Sequence, residues 1–138
     1  MKPKHQVNDP QDDFFKTRLA SLINPKHKLC RLAGYIDWDK LERAISPHFS
    51  DEGAPALPVR LMAGLMYLQH AYGVSDELVV EHWLESPYLQ YFCGETFFQH
   101  QFPCHPTSLT KWRQRLGEEG CEWLLIATID AGAQKQTG

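Results

Sequence analysis

From Pro58 the chain reads PVRLMAGLMYLQHAYG, and its apolar residues point in nearly every direction around a helix instead of forming one stripe. A helix of that kind has to be enclosed on all sides. The rest of the chain is therefore expected to pack around it in layers of further helices. At 138 residues there is about one domain's worth of chain, enough to bury a core without disulfide or metal staples.

The flanking patterns are helical throughout. Asp9-Pro10 with Asp12 and Asp13 reads as an N-cap, a proline at the first helical position and acids in the first turn, ahead of Phe15, Leu19, Leu22 and Ile23 at helical spacing. Asn24-Pro25 stops that helix. Lys26 to Ala33 reads as a second, short one, with Gly34 as its left-handed C-cap. Asp37 caps a third, in which Ile36 and Leu41 have the spacing of a hydrophobic staple and Ser46-Pro47 marks the end.

SDEGAPALP, from Ser50, is the clearest loop and leads into the enclosed helix. Gly73-Val74-Ser75 is a tight turn, after which Ser75 caps DELVVEHWLES with Asp76 and Glu77 favourably placed against the helix dipole. A short segment over Pro87 to Cys93 follows. Thr107 or Ser108 then caps a basic helix, which Gly117 or Gly120 separates from CEWLLIATIDAG. No period-2 strand and no internal repeat is visible. The expectation is an all-α domain of six or seven helices with a helix-turn-helix-like pair, spanning residues 9–131 between a flexible N-terminus (1–8) and a flexible tail (132–138).

The formal net charge of −3 conceals a gradient: Lys and Arg number nine against six acids in residues 1–50, one against seven in 51–100, and four against four in 101–138. A polyanion should meet the flanks, not the centre. No apolar run approaches the roughly 18–20 residues that span a bilayer, and the polar start has no signal-peptide core. Four scattered cysteines suit reduced thiols, so a soluble cytoplasmic protein is expected.

PTSLTKWRQRLGEEG, Pro106 to Gly120, concentrates cations in this acidic chain. On a helical wheel Leu109, Trp112 and Leu116 fall on one side, with Thr107, Thr110, Lys111 and Gln114 opposite and Arg113 and Arg115 flanking them. Such a face suits DNA. Lys111, Arg113 and Arg115 are candidate phosphate or base contacts, Thr110 and Gln114 candidate base readers, and Thr107 and Ser108 phosphate-positioning caps. Lys26, Lys28 and Arg31 make a weaker basic patch. A solvated amphipathic helix has the same pattern, so charge alone does not decide.

The other helix of the turn pair has the wrong sign for DNA, because Glu77, Glu81 and Glu85 form an acidic stripe; a structural or protein-contact role is expected of it. Cys93, His100, Cys104 and His105 match no usual zinc spacing, and His70 and His82 read as ordinary interior or boundary residues. The acid pairs are accounted for by helix starts and a solvated face. With no phosphate loop, nucleophile elbow or metalloprotease motif, the chain offers no catalytic or metal site and no cofactor of its own.

LPVRLMAGLMYL, VSDELVVEHWLESPYLQYFCG and PTSLTKWRQRLGEEG, in that order, resemble the amino-terminal domain of DDE-type insertion-sequence transposases of the insertion sequence five group. DDFFKTRLASLI and GYIDWDKLE fall where that family has helices, so the resemblance covers about residues 9–131. It implies recognition of the element's terminal inverted repeats, self-association in a synaptic complex, and a ribonuclease-H-like domain, absent here, whose three acids hold divalent metal. The first of those acids is expected beyond residue 138, so Asp130 is not given that role. Gly53-Ala54-Pro55 departs from the family's Gly-Arg-Pro and removes one possible cationic contact. Two alternatives remain at this point: an interaction module using the acidic stripe or an exposed YLQYFCGETFF segment, and a truncated, non-catalytic fragment.

Overall fold

The computed structural model describes residues 17–49 and 58–137, with side chains through residue 48 in the first part and residue 130 in the second. The expected helix start at Asp9, the loop from Ser50 and the Gly53-Ala54-Pro55 departure lie outside the described residues. Seven α-helices occur among the described residues: α1 (Leu19–Leu22), α2 (Lys28–Tyr35), α3 (Trp38–Ile45), α4 (Val59–Tyr72), α5 (Asp76–Glu85), α6 (Pro87–Phe92) and α7 (Thr107–Thr137), with a 3-10 turn over Ser46–Phe49. The fold is all-α, and an isolated antiparallel bridge between Arg18 and Phe97 is the extended pairing among these residues.

The enclosed helix is α4. Val59, Leu61, Met62, Ala63, Gly64, Leu65, Met66 and Leu68 are all buried, and α3, α5 and α7 pack around it. Its approach to α6 is close because Gly64 has no side chain: a Cβ there would lie 2.9 Å from the Cys93 sulfur and 3.3 Å from the Cys93 Cα. The turn that follows needs its glycine for a different reason. Gly73 adopts φ 64°, ψ 44°, the left-handed conformation that a side chain resists.

The caps read from sequence are present. Asp37 accepts from the Lys40 amide at 3.0 Å, Ser75 from the Leu78 amide at 3.1 Å, and Ile36 and Leu41 are both buried around the start of α3. Two elements differ from expectation. The helix read through Phe15 to Ile23 is interrupted, because Arg18 is extended and bridges Phe97, so that α1 begins only at Leu19. The end of α2 is the second. Gly34 lies inside α2, which starts at Lys28 under the side chain of His27 and runs to Tyr35, with the Ile36 amide bonding the Leu32 carbonyl. Gly34 does not adopt the left-handed conformation, so the helix continues two residues past Ala33 and ends before buried Ile36. The backbone of α7 is helical to Thr137.

Two polar devices bind the smaller elements. Arg60 is the one Lys or Arg between residues 51 and 100, and it serves the interior. It donates to the carbonyls of Tyr91 and Phe92, both at 3.1 Å, closing the C-terminus of α6, and its guanidinium lies 4.6 Å over the Trp38 ring. Gln90 is wholly buried and donates to the carbonyls of Trp83 and Gln99 while accepting from the Gln99 amide at 2.7 Å. That pins the irregular segment leading to α7.

Candidate nucleic-acid interface

Segment 107–116 of α7 begins after His105, whose Nδ1 accepts from the Thr107 amide at 3.2 Å and pairs with the Thr107 hydroxyl at 3.0 Å. The cap is thus His105, not Thr107 or Ser108. The reason is that the Ser108 and Leu109 amides already bond the carbonyls of His105 and Pro106, which places Thr107 inside the first turn. Gly117, at φ 84° and ψ 163°, breaks α7 at the end of this segment. The break redirects the helix, and the Cys121 thiol lies 3.7 Å from the Arg113 carbonyl.

Leu109, Trp112 and Leu116 are buried as expected. Truncating any of these anchors costs about 2–5 kcal/mol by analogy with other cores, against roughly 1.5–3 kcal/mol for one hydrogen bond to a charged group. Apolar docking therefore holds the segment to the core, and polar contacts set its rotation.

Those contacts centre on Asp76, the first residue of α5. Its Oδ2 accepts from Arg113 Nη2 at 2.8 Å and from the Thr110 hydroxyl at 3.0 Å, and its Oδ1 accepts from Gln69 Nε2 at 2.6 Å. Arg113 Nη1 donates to Gln69 Oε1 at 3.1 Å, which joins α4, α5 and α7 in one network. The Arg113 guanidinium bonded to it holds the Asp76 carboxyl below the usual carboxylate range; Gln69 and Thr110 act in the same direction, and partial burial opposes them.

The sequence-derived site is redrawn by this geometry. Arg113 and Thr110 bond inward to Asp76, so neither presents the unencumbered donor that the sequence reading gave it. The wheel already contains the reason for Arg113: it is four residues from buried Leu109, about 40° away, and about 160° from Lys111. Arg115 donates through Nε to the His48 carbonyl at 3.1 Å, tying the segment to the 3-10 turn. Thr107, Lys111 and Gln114 are exposed at spacings of four and three, one continuous outward stripe, while Ser108 is half-buried.

Sequence reasoning missed Asp76, Gln69 and His105 as positioning residues. Asp76 fits its helix N-terminus so well locally that nothing in its neighbourhood announces a partner 37 positions away.

The other candidates take definite places. Glu77, Glu81 and Glu85 form an exposed stripe. The YLQYFCGETFF segment is not an exposed surface: Leu89, Gln90, Phe92 and Cys93 are buried and Tyr88, Tyr91, Phe97 and Phe98 half-buried, because α1, α2 and α5 pack against α6 and Phe97 pairs with Arg18. His70 and His82 are exposed. Among the described residues no group of three His, Cys, Asp or Glu side chains is placed to hold a metal ion, and burial pushes the Cys93 and Cys104 thiols up, away from the thiolate form. No helix among the described residues is long and apolar enough to cross a membrane.

The family described as Transposase domain (DUF772) matches residues 17–115, and that match closes on the last cation of the basic segment. The chain is also similar to the uncharacterized protein ORF8 in the nfe locus of Rhizobium meliloti, with 46% identity over 137 residues, 99% of this chain. It spans 66% of that relative's length. No solved structure matches the chain.

Proposed function

The chain belongs to the DUF772 transposase-domain family, and from that premise we propose that it is the N-terminal DNA-binding and assembly domain of a DDE-type transposase of the insertion sequence five group, recognising the element's terminal inverted repeats. The observation that carries this reading is the outward stripe Thr107, Lys111 and Gln114 on a segment locked by Leu109, Trp112 and Leu116. A rigid helix with one exposed cation, one amide and one hydroxyl in line suits a duplex groove. Lys111 anchors on phosphate and Gln114 faces base edges, while Thr107, its hydroxyl held by His105, flanks them near the helix start. Arg115 flanks Lys111 and adds positive potential. Divalent metal belongs to the chemistry of the whole transposase, not to this domain's binding step.

Binding to terminal-repeat and scrambled duplexes over a salt series tests this. Replacing Lys111 by Ala should lower the log–log salt slope by about one unit. Replacing Gln114 by Ala should narrow the preference for the terminal repeat without changing the slope. Equal affinity for both duplexes in the unaltered chain, unchanged by either substitution, would remove the DNA-recognition reading.

A further inference from the structure

Beyond Gly117, the second part of α7 carries three of the chain's exposed large apolar side chains: Trp123, Ile126 and Ile129, at 42%, 50% and 41% exposure. Buried Leu124 and Thr128, with half-buried Cys121 and Ala127, face the core. On a wheel centred on Ile126, the exposed acids Glu119, Glu122 and Asp130 fall within about 40° of the same outward direction. The face therefore interleaves three apolar groups with three carboxylates, and no Lys or Arg occurs between residues 118 and 130.

We propose that this face docks a basic amphipathic helix of a partner protein, one whose apolar residues recur every three and four positions with Lys or Arg beside them. The apolar groups supply the contact and the acids choose its sign. A second copy using the same face is disfavoured by charge. An isologous contact sets Glu119, Glu122 and Asp130 of one molecule against the same three acids of the other. A nucleic-acid duplex is repelled for the same reason. The kink at Gly117 separates this acidic face from the stripe at Lys111, so the docking surface is independent of the DNA reading.

The test uses emission of the 138-residue chain, in which Trp83 and Trp112 are buried, Trp38 is half-buried and Trp123 is exposed. The probes are a model helical peptide of about eighteen residues, longer than the roughly 12–15 below which isolated helices are marginal, with Leu at the inward positions and Lys elsewhere, and its Glu counterpart. The Lys peptide should bind saturably with a blue shift, and the Glu peptide should not. Ile126→Glu should weaken the Lys peptide by about tenfold or more, with unfolding midpoint and helicity showing that the variant folds. A Glu119→Lys, Glu122→Lys, Asp130→Lys variant should reverse the peptide preference. A Glu77→Gln, Glu81→Gln, Glu85→Gln variant should leave it intact. The proposal is overturned if both acid sets weaken binding equally, if neither peptide binds saturably, or if the chain self-associates and Ile126→Glu abolishes that association.

Discussion

Asp76 and Arg113 close a 2.8 Å ion pair between the first turn of α5 and the second turn of α7, at 21% and 32% side-chain exposure. The acidic helix of the turn pair and the basic helix are thereby one structural unit. An arginine that looks like a DNA contact in the sequence instead orients the residues on the far side of its own helix.

Arg113→Ala and Lys111→Ala should separate accordingly. Loss of Arg113 leaves Asp76 partly buried without its strongest donor and should destabilise the fold by about 1–3 kcal/mol. Lys111→Ala on the exposed face should fall within about 0.5 kcal/mol of the parent. Urea unfolding of both variants checks this; equal stability losses would contradict the division of roles.

The pair also sets an acid dependence. Because the folded-state carboxyl of Asp76 is depressed, its contribution is complete above the unfolded value of about 3.9 and is lost as pH falls through the lower folded value. The stability gap between the parent and Asp76→Asn should be widest at neutral pH and close below about pH 4. A gap that stays constant from neutral pH into that acid range would show that Asp76 acts by packing alone.

Three glycines should respond with different signs to replacement by alanine. Gly64→Ala drives a methyl against Cys93 and should cost about 1–3 kcal/mol. Gly73→Ala meets no atom within 4 Å but keeps the left-handed backbone, and should cost about 1–2 kcal/mol. Gly34→Ala, inside α2 with open space around it, should stabilise by roughly 0.5–1 kcal/mol. Denaturant midpoints rank the three.

Gln90→Leu removes three hydrogen bonds from a fully buried position and should cost about 2–3 kcal/mol. Faster hydrogen exchange at the Gln99 amide is the local readout. Protection equal to the parent's would mean that the segment before α7 is held by its aromatic contacts, such as the 5.2 Å Trp83–Phe102 edge packing.

Much of the architecture was legible in the chain. Helix starts and stops are written within a few residues of where they occur, so Asp37, Ser75, Gly73 and the enclosure of α4 could be read directly. Errors arose where a local rule met a distant demand. Gly34 resembles a cap, yet α2 runs through it to Tyr35, and Thr107 resembles one until His105 takes the amide first.

The candidate site divides the same way. Periodicity alone placed Leu109, Trp112 and Leu116 inside and Lys111 and Gln114 outside, because side-chain direction on a helix is a local property. Only the tertiary structure decided that Arg113 and Thr110 turn to Asp76, that Arg115 reaches the His48 carbonyl, and that Arg60 closes α6. Each of those partners lies more than thirty positions away in the chain. A residue's spacing tells which way it points; what waits there depends on how separate helices dock, and that is set by the fit of the whole core.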